Sequence, residues 1–410
     1  MTPDATLPKA ARGPLRTLIR RVAAATDSQM LRILATVESA ADRREADALL
    51  SPLRPRLNVL RPPRRLRMKR LLFYPFDPLI VSPRLWRPIL PAIPRSALGP
   101  IAAAVTAAIP GTIADIDARV EGQTSADIDV VLSAGKILWP KAAQALKPDA
   151  VPADWRGETG LNNAHYQAIA AIVAAILRYA PVIETLCQTS MAVLMPPPRE
   201  AVHAVIRAVA VDHGPALPHL MGILMMRLPD PSPLFSYPRT DIGGAAVLSA
   251  RERAAELLLG RMAHDGPATW IAGGGMIEAA EMLRRAVTLL TELEKTPVTD
   301  RKAQCKALRQ GLDAAAQMRF DTCLREDWLA PLGSGEPPDI TTLEDIAYDL
   351  RIFQAEAREL GGRGIYDEGL TAAAERIGPA AVNRMASVDR ARLTEILLGA
   401  RAGLQLVGIS

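Results

Sequence analysis

The chain has 410 residues, of which 49% are hydrophobic but only 4% are aromatic. This length is sufficient for two domains of ordinary size. Much of the hydrophobic share is alanine, the best helix former, so the composition favours packed helices and argues against β-sheets, which favour β-branched and aromatic residues. The abundance of Ala, Arg and Pro is also typical of a GC-rich bacterial genome.

The cysteines and the apolar runs narrow the class of protein further. Three cysteines with no C-x-x-C spacing argue against a disulfide framework and a thiolate zinc site, so we expect reduced, buried thiols. The most apolar run, Ala168–Leu177, is too short to cross a membrane and predicts a core helix. The first 29 residues lack the apolar core of a signal peptide. We therefore expect no transmembrane segment and a cytoplasmic protein.

In chain order, residues 1–50 predict a basic amphipathic helical arm, in which Leu15, Leu18 and Val22 recur at helical spacing between arginines. Residues 51–100 differ, because a proline every few residues prevents a long helix. Aromatic side chains are common there, and disordered linkers avoid them. We therefore predict an extended connector whose apolar side chains dock, either on the chain's own helical body or on a partner.

Charge is distributed unevenly along the chain. Residues 1–100 contain 19 Lys/Arg and 7 Asp/Glu, whereas the whole chain has 49 and 44, so the remainder is net acidic. Residues 51–95 hold 11 basic residues, ten prolines and a single acid, Asp77. A segment so rich in cations is neutralised either by solvent or by an acidic partner. The predicted partner-binding residues are Arg61, Arg64, Arg65, Arg67, Lys69, Arg70, Phe73, Tyr74, Phe76, Arg84, Trp86 and Arg87.

From Pro100 onward the sequence predicts helix after helix, with a proline-rich loop at Pro229–Gly244 as the best internal boundary. We predict helices at about 247–264, 268–295, 299–328, 367–377 and 388–404. Threonines predict further helix starts at Thr112, Thr124 and Thr341. The domains expected are 1–50 (arm), 51–100 (connector), and two helical subdomains at 101–228 and 245–410.

One candidate for catalysis lies at a predicted helix end. His264-Asp265 resembles the metal-binding pair of the all-helical HD-class phosphohydrolases, which add an upstream His and a downstream Asp. The Gly-Lys often found after that pair is replaced here by Gly-Pro. The same Gly-Pro follows His213, and a helix that ends on glycine before a proline opens the next helix explains both cases.

The sequence therefore predicts an all-α, bundle-like body with a basic N-terminal arm and a Pro-rich connector. Our leading hypothesis is a non-enzymatic adaptor, accessory or regulatory subunit without a cofactor, which binds an acidic protein through the connector. Nucleic acid and an anionic membrane surface are alternative partners. A metal-dependent phosphohydrolase centred on His264 and Asp265 is the alternative from a different class.

Overall fold

A computed structural model describes residues 65–125, 127–193, 198–272, 275–296, 298–333, 339–381, 385–400 and 402–403. The predicted arm, and with it Arg61 and Arg64, lies outside the described residues. Within them the prediction of an all-α fold is confirmed. The strands of the described part are Ile80–Val81 (β1) and Ile93–Pro94 (β2), which pair in parallel.

The helices follow one another with short connections. The earlier helices are α1 (Met68–Phe73), α2 (Leu98–Ala108), α3 (Pro110–Val120), α4 (Ile128–Ala145), α5 (Trp155–Thr159), α6 (Asn163–Val193), α7 (Arg199–His213), α8 (Leu217–Arg227), α9 (Ser232–Phe235) and α10 (Gly244–Asp265). The later ones are α11 (Pro267–Trp270), α12 (Met276–Glu294), α13 (Arg301–Cys323), α14 (Ala330–Gly333), α15 (Ile340–Ala357), α16 (Arg363–Ala381) and α17 (Ser387–Leu398).

The described residues form two compact units. The first contains residues 65–264 and 284–307, and the second contains residues 265–283 and 308–403. The loop expected at Pro229–Gly244 lies inside the first unit and includes the one-turn helix α9.

The core of the first unit is built around α6, which packs along α4 and also contacts α7 and α8. The indole of Trp155 lies edge-on to the ring of Tyr166, with the ring centroids 5.0 Å apart, and both side chains are buried. Most residues of the apolar run at 168–177 are buried in this unit.

The connector folds as a series of short elements, because its prolines interrupt each helix after one or two turns. Helix α1 is followed by a 3-10 helix, Tyr74–Leu79, and then by β1. The 3-10 helix packs on α8, where Gly222 makes room for it. A Cβ atom on Gly222 would lie 2.7 Å from the Cδ2 atom of Leu79. The described connector is therefore docked on its own body rather than fully extended.

The second unit is built by α15, α16 and α17 with the later part of α13. The ring of Phe320 on α13 stacks with Phe353 at 6.5 Å and lies edge-on to Tyr366 at 5.2 Å. Trp328 is fully buried, and its indole N–H donates to the carbonyl of Ala373 at 3.2 Å. Aromatic residues are rare in this chain, yet they hold the centre of this unit together.

Three predicted helix starts are wrong for local reasons. The helix expected from Thr112 begins at Pro110, because the fixed φ of proline suits the first position of a helix. The helix expected from Thr341 begins at Ile340, because the Asp339 carboxylate accepts hydrogen bonds from the Thr341 N–H and the Thr342 hydroxyl. The helix expected from Thr124 begins at Ile128. There the threonine donates instead of capping, since its N–H and hydroxyl both bind one oxygen of Asp127, at 2.6 and 2.9 Å.

Candidate interaction surface

The aromatic rings of the connector are used for internal packing. Phe73 and Phe76 are buried in the first unit and lie edge-on to each other, 6.4 Å apart. Tyr74 is partly buried, and the guanidinium of Arg227 lies over its ring at 5.1 Å. Burial raises the pKa of Tyr74, and the charge of Arg227 opposes that rise. In this conformation these three rings hold the connector in place and leave recognition to other side chains.

Side chains from later helices also bind the connector's backbone carbonyls. The Trp139 indole donates to the carbonyl of Leu71 at 2.8 Å, and Arg261 donates to that of Pro78. Arg253 donates through its Nε and Nη2 atoms to the carbonyl of Ile89, at 3.1 and 2.6 Å. A proline-rich segment has few N–H groups for a β-ladder, so its free carbonyls are satisfied by these long donors.

The cations of the connector have mixed surroundings. Arg70 pairs with Asp77 at 3.5 Å, and Lys69 lies near Glu158. The pKa of Glu158 is nevertheless raised, first by a hydrogen bond with Asp154, while Lys69 acts in the opposite direction. The remaining predicted cations are exposed and have no carboxylate at ion-pairing distance within the described part of the chain. They are Arg65, Arg67, Arg84 and Arg87.

Two of these exposed arginines lie on a fixed surface loop, residues 82–89, which we name the arginine loop. It begins with a turn in which the N–H of Leu85 donates to the Ser82 carbonyl at 3.0 Å. Trp86 is half-buried, its indole N–H donates to the Ala92 carbonyl at 2.9 Å, and its ring meets His165 edge-on at 5.2 Å. Together with Arg253 these contacts hold both ends of the loop.

The arginine loop exposes apolar and cationic groups side by side. Leu85 is 40% exposed and Ile89 is 67% exposed, although both are large hydrophobic residues. The guanidinium of Arg87 donates to the carbonyls of Arg84 and Trp86, at 3.0 and 2.8 Å, so it is held close to the loop. The sequence has no acidic residue between Asp77 and Asp115 that could neutralise the loop locally.

Beneath the connector lies a buried ion pair that the sequence pattern does not predict. Glu184 on α6 is fully buried and accepts two hydrogen bonds from Arg227, one of them between Nη2 and Oε2 at 2.6 Å. Burial raises the pKa of Glu184, while Arg227 lowers it, and Glu184 in turn favours the charged form of Arg227. Arg227 thereby connects α6 to Tyr74 of the connector.

In the described part of the chain, the His-Asp pair does not belong to a cluster of side chains that could hold a metal ion. His264 and Asp265 are both exposed at the end of α10, where Gly266 adopts a φ of 83° and Pro267 opens α11. Among the residues that the structure describes, no group of three or more His, Cys, Asp or Glu side chains could hold a metal ion. Two other histidines are buried: the imidazole of His203 is within 2.9 Å of the Pro233 carbonyl, and burial lowers the pKa of His219 to about 3.

Among the described residues, depressions open to solvent lie beside Lys141 and Lys147 and beside Val182 on α6. All three cysteines are buried, and none of them forms a disulfide in the described part of the chain. One helical stretch, Asn163–Cys187, is long and apolar enough to cross a membrane, and a bent pair formed by Arg95–Ala108 and Pro110–Val120 also passes that test. The stretch Asn163–Cys187 is longer than the ten-residue run that is expected to be too short to cross a membrane, and more than half of its most apolar window is buried inside the protein.

The fold thus defines an all-α protein with an arginine-bearing connector docked on its body. No family model, curated protein or solved structure matches this chain.

Proposed function

We propose that this protein acts by binding, and that the arginine loop recognises an acidic surface of a partner protein. The observation that carries the proposal is that Arg84 and Arg87 flank exposed Leu85 on a loop held at both ends. Aromatic, apolar and arginine side chains together are typical of the centre of a protein interface. A loop held in one conformation loses little entropy on binding, which favours affinity.

Electrostatics supports an acidic partner. Arginine forms bidentate hydrogen bonds with carboxylates and remains charged at every physiological pH. Arg84 and Arg87 meet no carboxylate in the part of the chain that the structure describes, so their charge is available to a partner. Complementary charge contributes mainly to the rate of association and to specificity, and exposed Leu85 and Ile89 would add apolar burial.

The test compares the full chain with a doubly reversed variant, Arg84→Glu with Arg87→Glu, as bait in a cell extract. The matched control reverses two exposed arginines of the same unit, Arg156→Glu with Arg199→Glu, and so has the same net charge. We expect that the wild type and the control both capture one acidic protein and that the loop variant does not capture it. The captured acidic protein, once purified, must then bind the wild-type chain directly, with an affinity that decreases as the salt concentration rises.

Other outcomes would overturn the proposal. If the loop variant captures the same set of proteins as the control, the arginine loop is not the binding surface. If the wild type binds single-stranded DNA or vesicles with 30% anionic lipid, and no protein depends on the loop, the partner is a polyanion of another class.

A further inference from the structure

A second exposed surface has the opposite charge and a similar apolar content. It lies on α15, where Tyr348 is 45% exposed and Ile352 is 42% exposed. Asp345 and Asp349 share this side of the helix with them, because residues three, four and seven apart lie on one face. We name these four residues the acidic face of α15.

The charge of this face is not neutralised within its own unit. Neither Asp345 nor Asp349 forms an ion pair in the described part of the chain. The pKa of Asp349 is raised first by burial and then by the like charges of Glu278 and Asp345. The single basic residue of α15, Arg351, donates instead to the carbonyl of Leu397 at 3.3 Å. A cation brought to this face would relieve the repulsion among its carboxylates.

We propose that the acidic face of α15 on one copy of this chain binds the arginine loop of a second copy. Each surface offers two charged and two large apolar side chains, of opposite sign and similar extent: Arg84, Leu85, Arg87 and Ile89 against Asp345, Tyr348, Asp349 and Ile352. The inference rests on the proposed function, because it names the acidic surface that the loop recognises.

Each contact uses two different surfaces, one from each copy. Such pairing either closes into a ring or dimer, or continues into a chain of copies. Two apolar side chains and a few ion pairs make a small interface, so we expect weak self-association with a dissociation constant on the order of 100 µM. Because exposed ion pairs are screened, raising NaCl from 50 to 500 mM weakens the association several-fold.

The test is a charge swap measured by sedimentation velocity between 5 and 500 µM. One variant carries Arg84→Glu with Arg87→Glu, and the other carries Asp345→Lys with Asp349→Lys. In each variant alone, the arginine loop and the acidic face of α15 carry charges of the same sign, so we expect self-association to weaken at least about tenfold. An equimolar mixture restores opposite charges at both surfaces, and we expect association at the wild-type level or tighter.

Controls separate a specific contact from an effect of net charge or folding. Arg156→Glu with Arg199→Glu, and Glu368→Lys with Glu375→Lys, change the same charges at other exposed positions and leave association unchanged. Because Asp349 is partly buried, Asp345→Lys alone is a milder second variant that preserves the fold, checked by circular dichroism.

Three results would overturn this inference: a wild type that stays monomeric up to 500 µM, swapped variants that associate like the wild type, or a mixture that does not associate. A monomeric wild type whose arginine loop still captures another acidic protein would refute self-association and leave the proposed function standing. Loss of anionic vesicle binding in the loop variant alone would instead assign the loop to a membrane surface.

Discussion

The buried pair formed by Glu184 and Arg227 allows the sharpest test of the fold. In the variant Arg227→Met, the Glu184 carboxylate remains fully buried without its partner. Removing one partner of a buried ion pair costs about 3–5 kcal/mol, because the remaining charge is desolvated and uncompensated. The side chains are 0% and 14% exposed, so solvent screens little of this interaction. Loss of the Arg227 contact with the Tyr74 ring adds about 1 kcal/mol.

The pH dependence of this variant has a defined sign. Without Arg227, burial dominates and keeps the folded-state pKa of Glu184 above its unfolded value, in the direction already seen in the wild type. A carboxyl group with a raised folded pKa binds more protons in the native state than in the unfolded state. The contribution of Glu184 to the free energy of unfolding of Arg227→Met is therefore most favourable below about pH 4 and decreases as pH rises through the folded pKa.

Urea denaturation at pH 5 and pH 8, followed by tryptophan fluorescence and circular dichroism, measures both effects. The control is the double variant Glu184→Gln with Arg227→Met, which leaves no buried charge and is expected to lose less stability than Arg227→Met alone at pH 8. A cost below about 1 kcal/mol for Arg227→Met, or a double variant less stable than the single one, would refute the reasoning.

Three further predictions concern packing, thiols and a histidine. Gly222→Ala places a methyl group 2.7 Å from the Cδ2 atom of Leu79 and is expected to destabilise the first unit by about 1–3 kcal/mol. The control Gly157→Ala lies in open space on α5 and is expected to leave stability unchanged. An unchanged melting temperature for Gly222→Ala would contradict the packing of the 3-10 helix on α8. Burial raises the pKa of Cys187 to about 11 and that of Cys323 to about 12. Iodoacetamide at pH 8 is therefore expected to modify both thiols only after unfolding, because the thiolate is the reactive form. Modification of these cysteines in the native protein, detected by mass spectrometry, would disprove this. Burial lowers the pKa of His219 to about 3, so the unfolded state binds more protons and wild-type stability decreases as pH falls from about 6.5. In urea titrations His219→Phe is expected to show a shallower decrease of the unfolding free energy with falling pH. The same pH dependence in both proteins would rule out this role of His219.

The helical body could be predicted because its sequence follows ordinary helix rules. The three long helices expected from about residue 247 onward correspond to α10, α12 and α13, but α12 begins at Met276 rather than at about 268, where the one-turn helix α11 lies instead. The exact starts could not be predicted, since aspartate side chains compete with threonines for the same N–H groups. At the start of α15, the Asp339 carboxylate accepts the hydrogen bond from the Thr341 N–H.

The candidate surface could be predicted only in part. Net charge and proline content identify the segment, and Arg84, Trp86 and Arg87 belong to the arginine loop. Whether a ring packs inward depends on groups far along the chain, such as Arg227 and Trp139, which local sequence does not reveal. The exposed Leu85 and Ile89 could have been noticed, because they alternate with arginines and prolines at 83–89 and would fit a buried stripe poorly.

The hydrogen bonds from Arg253 and Arg261 to the connector have a consequence for biosynthesis. These donors are encoded 164 and 183 residues after the carbonyls that they bind. At the usual pace of translation the connector leaves the ribosome on the order of 10 s before its donors exist. During that interval the carbonyls of Pro78 and Ile89 lack their arginine donors, so a nascent chain stalled near residue 200 should expose this segment to proteases and chaperones more than one stalled beyond residue 300.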